Sequence, residues 1–177
     1  MNIDGLKGFS AQVDEDLRLW TKTTNSPLSA EISLKKGLLF RWLSTYAATA
    51  ADYVLCLKNT DPSNNLRINK LIVSNSVDTI WTSSKITAGT PAGTAITGVN
   101  MNFNSGKTAV VTALGNAAVT GITGATALGY FQSLAKTSLM IDTDGALILP
   151  ANTTWALKAS ATGTIYVFAE GWFEPEV

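Results

Sequence analysis

Beyond Ser29 the chain is a succession of short apolar, β-prone runs separated by turn residues, with no long stretch of helical period. This pattern predicts strands over residues 31–34, 38–46, 52–59, 66–74 and 79–84, then over 94–103, 109–113, 139–142, 146–149, 154–160 and 164–172. The clearest loop is Asn59-Thr60-Asp61-Pro62-Ser63-Asn64-Asn65, because proline fixes φ and asparagine tolerates left-handed backbone. One substantial helical turn is expected over 125–136. In the last run Ile165, Val167 and Ala169 share one face, and Tyr166 and Phe168 share the other. Both faces are apolar, so this strand is expected to be covered on both sides. Many short strands with a turn about every ten residues predict an all-β fold, an antiparallel β-sandwich or jelly roll, rather than a parallel sheet with crossover helices.

Residues 1–30 differ from the rest. They mix the acids Asp14-Glu15-Asp16 with isolated apolar residues and read as an extended N-terminal arm ahead of a sandwich domain over 31–177. Val13, Leu17 and Trp20 fall at helical spacing, so a short amphipathic turn is expected there, ended by Asn25-Ser26-Pro27. If the arm lies across a neighbour, Trp20 is its anchor. Met1-Asn2-Ile3-Asp4-Gly5-Leu6-Lys7 has neither a basic nor an apolar signal region, so assembly in the cytosol is expected.

Charge sharpens the picture. Thirteen basic and thirteen acidic residues cancel, which leaves no global field to recruit nucleic acid or an anionic membrane. Charged residues make up 15% of the chain, well below the usual level of about 25%, so docking or self-association is the economical way to cover the surface. Ile86 to Ala135 carries a single charged side chain, Lys107. Thr, Asn and Gly interrupt its apolar runs well short of the roughly 20 residues a spanning helix needs. The stretch is expected to pack against other chains, with Val110 and Ile122 as candidate contacts. Cys56, the lone cysteine, sits in the apolar run Tyr53-Val54-Leu55-Cys56-Leu57 and reads as a buried small hydrophobe.

The chain contains no histidine, which removes the commonest general base and the commonest metal ligand. Gly106-Lys107-Thr108 resembles the end of a phosphate loop, but the first glycine of that motif would fall at Met101, and strand-prone residues follow where a helix must open. Asp142-Thr143-Asp144-Gly145 resembles the start of a calcium loop without its downstream acid, and reads instead as a hairpin turn. Gly115, Gly121, Gly124 and Gly129 do not meet the dinucleotide spacing and read as turns and close contacts. Trp42, Trp81, Trp155 and Trp172, with Tyr46, Tyr53, Tyr130 and Tyr166, form either a sugar-stacking platform or core and subunit packing, and packing is favoured. No catalytic, cofactor-binding or metal-binding residue is assigned, and the chain is read as a non-enzyme.

Two segments resemble small virion proteins of tailed bacteriophages, in particular β-sandwich capsid decoration proteins. One is the Asn-rich segment 94–109, TAITGVNMNFNSGKTA; the other is 145–172, where Leu149-Pro150-Ala151-Asn152 and Thr154-Trp155-Ala156-Leu157-Lys158 lead to an aromatic closing strand. The resemblance implies a cementing protein that binds the major capsid protein on the outer head surface, is assembled in the host cytoplasm and forms a homo-oligomer, with a trimer favoured. Candidate interface residues are Trp20, Val110, Ile122, Tyr166, Phe168 and Trp172. The alternative is a head or tail fibre module that reads host glycans.

Overall fold

The computed structural model describes residues 2–5, 9–13, 19–21 and 37–175. Near the N-terminus β1 (Asn2–Gly5), β2 (Phe9–Val13) and β3 (Leu19–Thr21) form an antiparallel sheet of their own. The other strands are β4 (Leu39–Ala48), β5 (Tyr53–Asn59), β6 (Asn64–Asn75), β7 (Thr79–Ala92), β8 (Ala95–Ile96), β9 (Val99–Asn100), β10 (Val111–Leu114), β11 (Thr120–Ser133), β12 (Ser138–Leu149), β13 (Thr154–Ala159) and β14 (Gly163–Pro175). They make two antiparallel sheets, sheet I in the order β12-β6-β14-β4-β9 and sheet II in the order β11-β7-β13-β5-β10-β8. The sheets pack face to face as a β-sandwich.

Period-two alternation explains the packing. In β4 the side chains of Phe40, Trp42 and Ser44 are buried, while Leu43 and Thr45 face solvent. In β14 Ile165, Val167 and Ala169 are buried, and Tyr166 points outward. These inward residues meet Leu55, Leu57, Trp81, Trp155 and Leu157 of sheet II in one continuous core. Two of the core's buried indoles find partners, Trp81 Nε1 donating to Ser133 Oγ at 2.8 Å and Trp155 Nε1 to Ser83 Oγ at 2.7 Å, whereas the buried Trp42 Nε1 has none among the described residues. Cys56, Leu114 and Ala156 alternate with core residues and so lie on the outer face of sheet II, where Val119 joins them in a second small cluster.

The long strands pair concentrically: β4 with β14, β5 with β13, β6 with β12 and β7 with β11. The first pairs with the last and each later strand with the next one inward, as in a ribbon rolled over on itself. β8, β9 and β10 are an insertion between β7 and β11, and the chain crosses from sheet II to sheet I within it.

The structure corrects four local expectations. Residues 125–136 form no helical turn. The segment up to Ser133 belongs to β11, which pairs with β7 from Thr120↔Ala92 to Ser133↔Thr79, so long-range pairing overrides the local preference of Ala and Leu for helix. Asp142-Thr143-Asp144-Gly145 is no hairpin turn. It lies inside one strand, β12, whose register on β6 jumps between Asp142↔Lys70 and Leu147↔Ile68. The backbone at Asp144 (φ 47°) and Gly145 (φ 70°) is left-handed, and here that geometry makes a bulge. The 94–103 run yields only the two-residue strands β8 and β9, because the chain changes sheets there. Val13 and Trp20, read at helical spacing, lie in β2 and β3; Leu17 and the 31–34 run fall outside the described residues.

The 59–65 loop forms as its composition dictates. Asp61 Oδ1 accepts the amides of Ser63 at 2.9 Å and Asn64 at 3.1 Å, and buried Asn59 Nδ2 donates to the carbonyls of Asn64 and Leu149.

Two outcomes check this packing. Leu57→Ala removes a fully buried side chain and is expected to cost about 2–5 kcal/mol, seen as a lower urea midpoint at unchanged slope. Burial pushes the Cys56 thiol up to about 12 from its ordinary 9.0. Because the unfolded chain gives up that proton first, Cys56 is expected to make stability fall as pH rises from 9 towards 12. At pH 8 a thiol reagent should label Cys56 only when denaturant is added.

Candidate protein-docking surfaces

Among the described residues no group of three acidic, cysteine or histidine side chains converges to hold a metal ion. The Asp142–Gly145 bulge spends its polar groups on the sheet. Asp142 Oδ1 accepts the Asp144 amide at 2.9 Å, the Thr143 hydroxyl bonds the carbonyls of Ile68 and Asn69, and Arg67 donates to the Gly145 carbonyl at 3.2 Å. These bonds replace the ladder bonds that the bulge removes. Gly106-Lys107-Thr108 lies in a loop that leads into β10, with no helix to receive a phosphate. Tyr46 donates its hydroxyl to Asp52 Oδ2 at 3.1 Å, and burial with that carboxylate raises its pKa.

All four tryptophans proposed for a stacking platform are buried: Trp42, Trp81 and Trp155 in the main core, and Trp172 in a smaller cluster with Leu39. Packing is what they do. A cleft of about 280 Å³ lies between β11 and β12, lined by residues including Leu128, Leu147, Ile148, Pro150 and Trp155, with Lys85 its one charged lining residue.

The candidate interface residues separate. Trp20 belongs to β3, but its side chain is outside the described residues. Val110 is exposed just before β10, and Ile122 is half-buried against the Cys56 cluster on the outer face of sheet II. Tyr166, 51% exposed, and half-buried Phe168 lie on the outer face of sheet I. Trp172 is only 2% exposed, its indole donating to Glu174 Oε1 at 3.1 Å, so it supports the fold from within.

The register of sheet I assembles what the sequence left scattered. Met140 pairs with Ile72, Ile72 with Phe168, and Phe168 with Leu43. These four side chains therefore form one apolar row across the outer face, and its two ends are open: Met140 is 61% exposed and Leu43 60%. One step along the strands the same pairings line up Asp142, Lys70, Glu170 and Arg41. Within this second row Arg41 Nε lies 2.8 Å from Glu170 Oε2, Asn69 donates to Glu170 Oε1 at 3.2 Å, and the Arg41 guanidinium sits 5.1 Å from the centre of the Phe168 ring. Leu43, Ile72 and Met140 were missed by sequence reasoning. Each occupies an outward step of an alternating strand, a signal that was available, but only the register shows that they adjoin.

A second surface comes from the charge-poor stretch. β13 pairs with β7 from Ala159↔Trp81 as far as Trp155↔Lys85. Beyond Lys85 β7 pairs with β11 alone, through Ala125↔Ile86, Gly124↔Ala88, Ile122↔Gly89 and Thr120↔Ala92. This two-stranded ribbon is mostly exposed and carries no charged side chain. Comparison with known protein families, curated proteins and solved structures finds no match for this chain.

The bulge is locally demanding. A Cβ on Gly145 would lie 2.9 Å from the Trp172 ring, and the backbone there has φ 70°. Gly145→Ala is therefore expected to destabilise the fold by about 1–3 kcal/mol, measured as a lower melting temperature with a change in tryptophan fluorescence. A surface glycine with open space around it, Gly106, should tolerate alanine.

Proposed function

We propose that this chain is a non-enzymatic structural protein of a tailed-phage virion, a decoration protein that docks on the outer head surface and stabilises the shell. The observation that carries this reading is the uncharged β7–β11 ribbon beyond Lys85. Strands left open to solvent are ordinarily protected by charge or proline; residues 86–92 and 120–126 have no charge, and Pro91 is their one proline. Such a ribbon suits a protein surface that completes it, with main-chain bonds and small side chains supplying the contact. The concentric strand pairing supports naming the sandwich a jelly roll, an architecture that recurs among viral capsid domains.

The mechanism is additive burial. Each docked copy removes apolar surface from water at about 25 cal/mol per Å², and contacts that form only on the assembled shell stabilise it against disassembly. The balanced charge of 13 basic and 13 acidic residues suits docking by shape and apolar contact, with no role for nucleic acid or a membrane.

The test is the double variant Thr123→Lys/Thr126→Glu, two exposed ribbon positions. It is expected to keep the wild-type melting temperature while its copy number in purified particles, by quantitative mass spectrometry, falls at least tenfold. Wild-type occupancy by this variant would remove the ribbon from the account, and absence of the wild-type chain from particles would remove the virion reading.

A further inference from the structure

We infer that the outer face of sheet I pairs with the same face of a second copy of this chain, about a two-fold axis that runs parallel to the strands between β6 and β14. This pairing follows from the two rows described above and is independent of the virion reading. In strand order β12, β6, β14, β4, the charged row reads Asp142, Lys70, Glu170, Arg41, alternating acid and base. A two-fold axis along the strands reverses that order in the partner while keeping the row at the same height. Asp142 then faces the second copy's Arg41. Glu170 is buried and held by Arg41 of its own chain, so the charges that meet across the axis are the exposed Asp142 and the partly exposed Arg41, once on each side of it.

The apolar row obeys the same operation. Met140 faces Leu43 of the second copy, and Ile72 faces its Phe168, so the two exposed ends of the row cover each other. Ser138, Ser74, Tyr166 and Thr45, which form the next row on the other side, meet polar groups of the same kind. The other two-fold axis available to stacked sheets runs across the strands along the apolar row. It sets Asp142 against Ser138 and Arg41 against Thr45, so Asp142 loses water without gaining an opposite charge, a costly arrangement. A three-fold arrangement needs two different patches that fit each other, whereas this face matches itself and closes as a dimer.

The size of the face sets the strength. Four strands spaced by about 4.8 Å, with about ten residues each rising about 3.3 Å, give a plane of roughly 600 Å² per copy. That is below the roughly 800 Å² per partner of standard interfaces and in the range of transient contacts, so a dimer in exchange with monomer is expected.

The experiment uses the full chain and two single variants, Met140→Lys and Leu43→Glu, both at positions about 60% exposed, so each is expected to fold. In sedimentation velocity the wild type should show a concentration-dependent dimer, and each variant alone should be at least tenfold weaker. Mixed one to one, the variants should dimerise again. The lysine introduced at position 140 of one then faces the glutamate introduced at position 43 of the other, while the native Leu43 and Met140 meet on the opposite side of the axis. Circular dichroism melting of each variant confirms folding. A wild type that stays monomeric to millimolar concentration overturns the inference. So does a dimer that survives both single variants, or a mixture that fails to recover, since the axis across the strands sets Met140 against Met140 and predicts no rescue.

Discussion

The register of β14 between β4 and β6 is the constraint on which both faces of sheet I depend. Because side chains alternate, a slip of one residue would turn Tyr166 and Phe168 into the core and expel Ile165, Val167 and Ala169. Those three inward residues are fully buried, so the core fixes the register, and the register then fixes the surface. The apolar row Met140-Ile72-Phe168-Leu43 and the alternating charges beside it follow from it. Arg41 reinforces the arrangement from outside by holding buried Glu170 and lying over Phe168.

The two sheets solve their outer faces differently. Sheet II covers part of its own: Val119, which bridges to Tyr53, closes over Cys56, Leu114 and Ala156, and Ile86 and Ile122 pack at the margin. Sheet I leaves a four-strand apolar row open. A chain with 15% charged residues cannot screen every apolar surface with its own side chains. It covers part of one outer face with its own residues and leaves the apolar row of the other, together with the uncharged ribbon, open to solvent.

Strand positions are legible in the sequence where alternation and turn chemistry agree. β4, β5, β6, β13 and β14 fall close to the expected runs, and the Asn59–Asn65 loop is set by Asp61 and Pro62. The sandwich follows from those strands. What is not legible depends on pairing between distant residues. Ala125, Ala127 and Leu128 favour a helix locally, and only β7 makes them a strand. Asp144-Gly145 supplies left-handed backbone, which a hairpin and a bulge use alike, and only β6 running unbroken alongside decides between them. Trp172 reads as surface because its strand alternates, but the bulge at Gly145 folds over it. The same limit hides the candidate surface. Tyr166 and Phe168 are visible as outward aromatics, whereas Leu43, Ile72 and Met140 become their neighbours only through the register.

A face built by this register recognises itself, and the contact between its two exposed ends can be observed. The decisive measurement is an isotope-filtered nuclear Overhauser experiment on a one-to-one mixture of labelled and unlabelled chains, observing the methyl groups of Met140 and Leu43. Within one chain these residues are separated by three strand spacings, about 14 Å, too far for direct transfer. An intermolecular cross-peak between Met140 and Leu43 is predicted at concentrations where the dimer forms. A Met140–Met140 contact between copies, or no intermolecular contact from either methyl group, would contradict it.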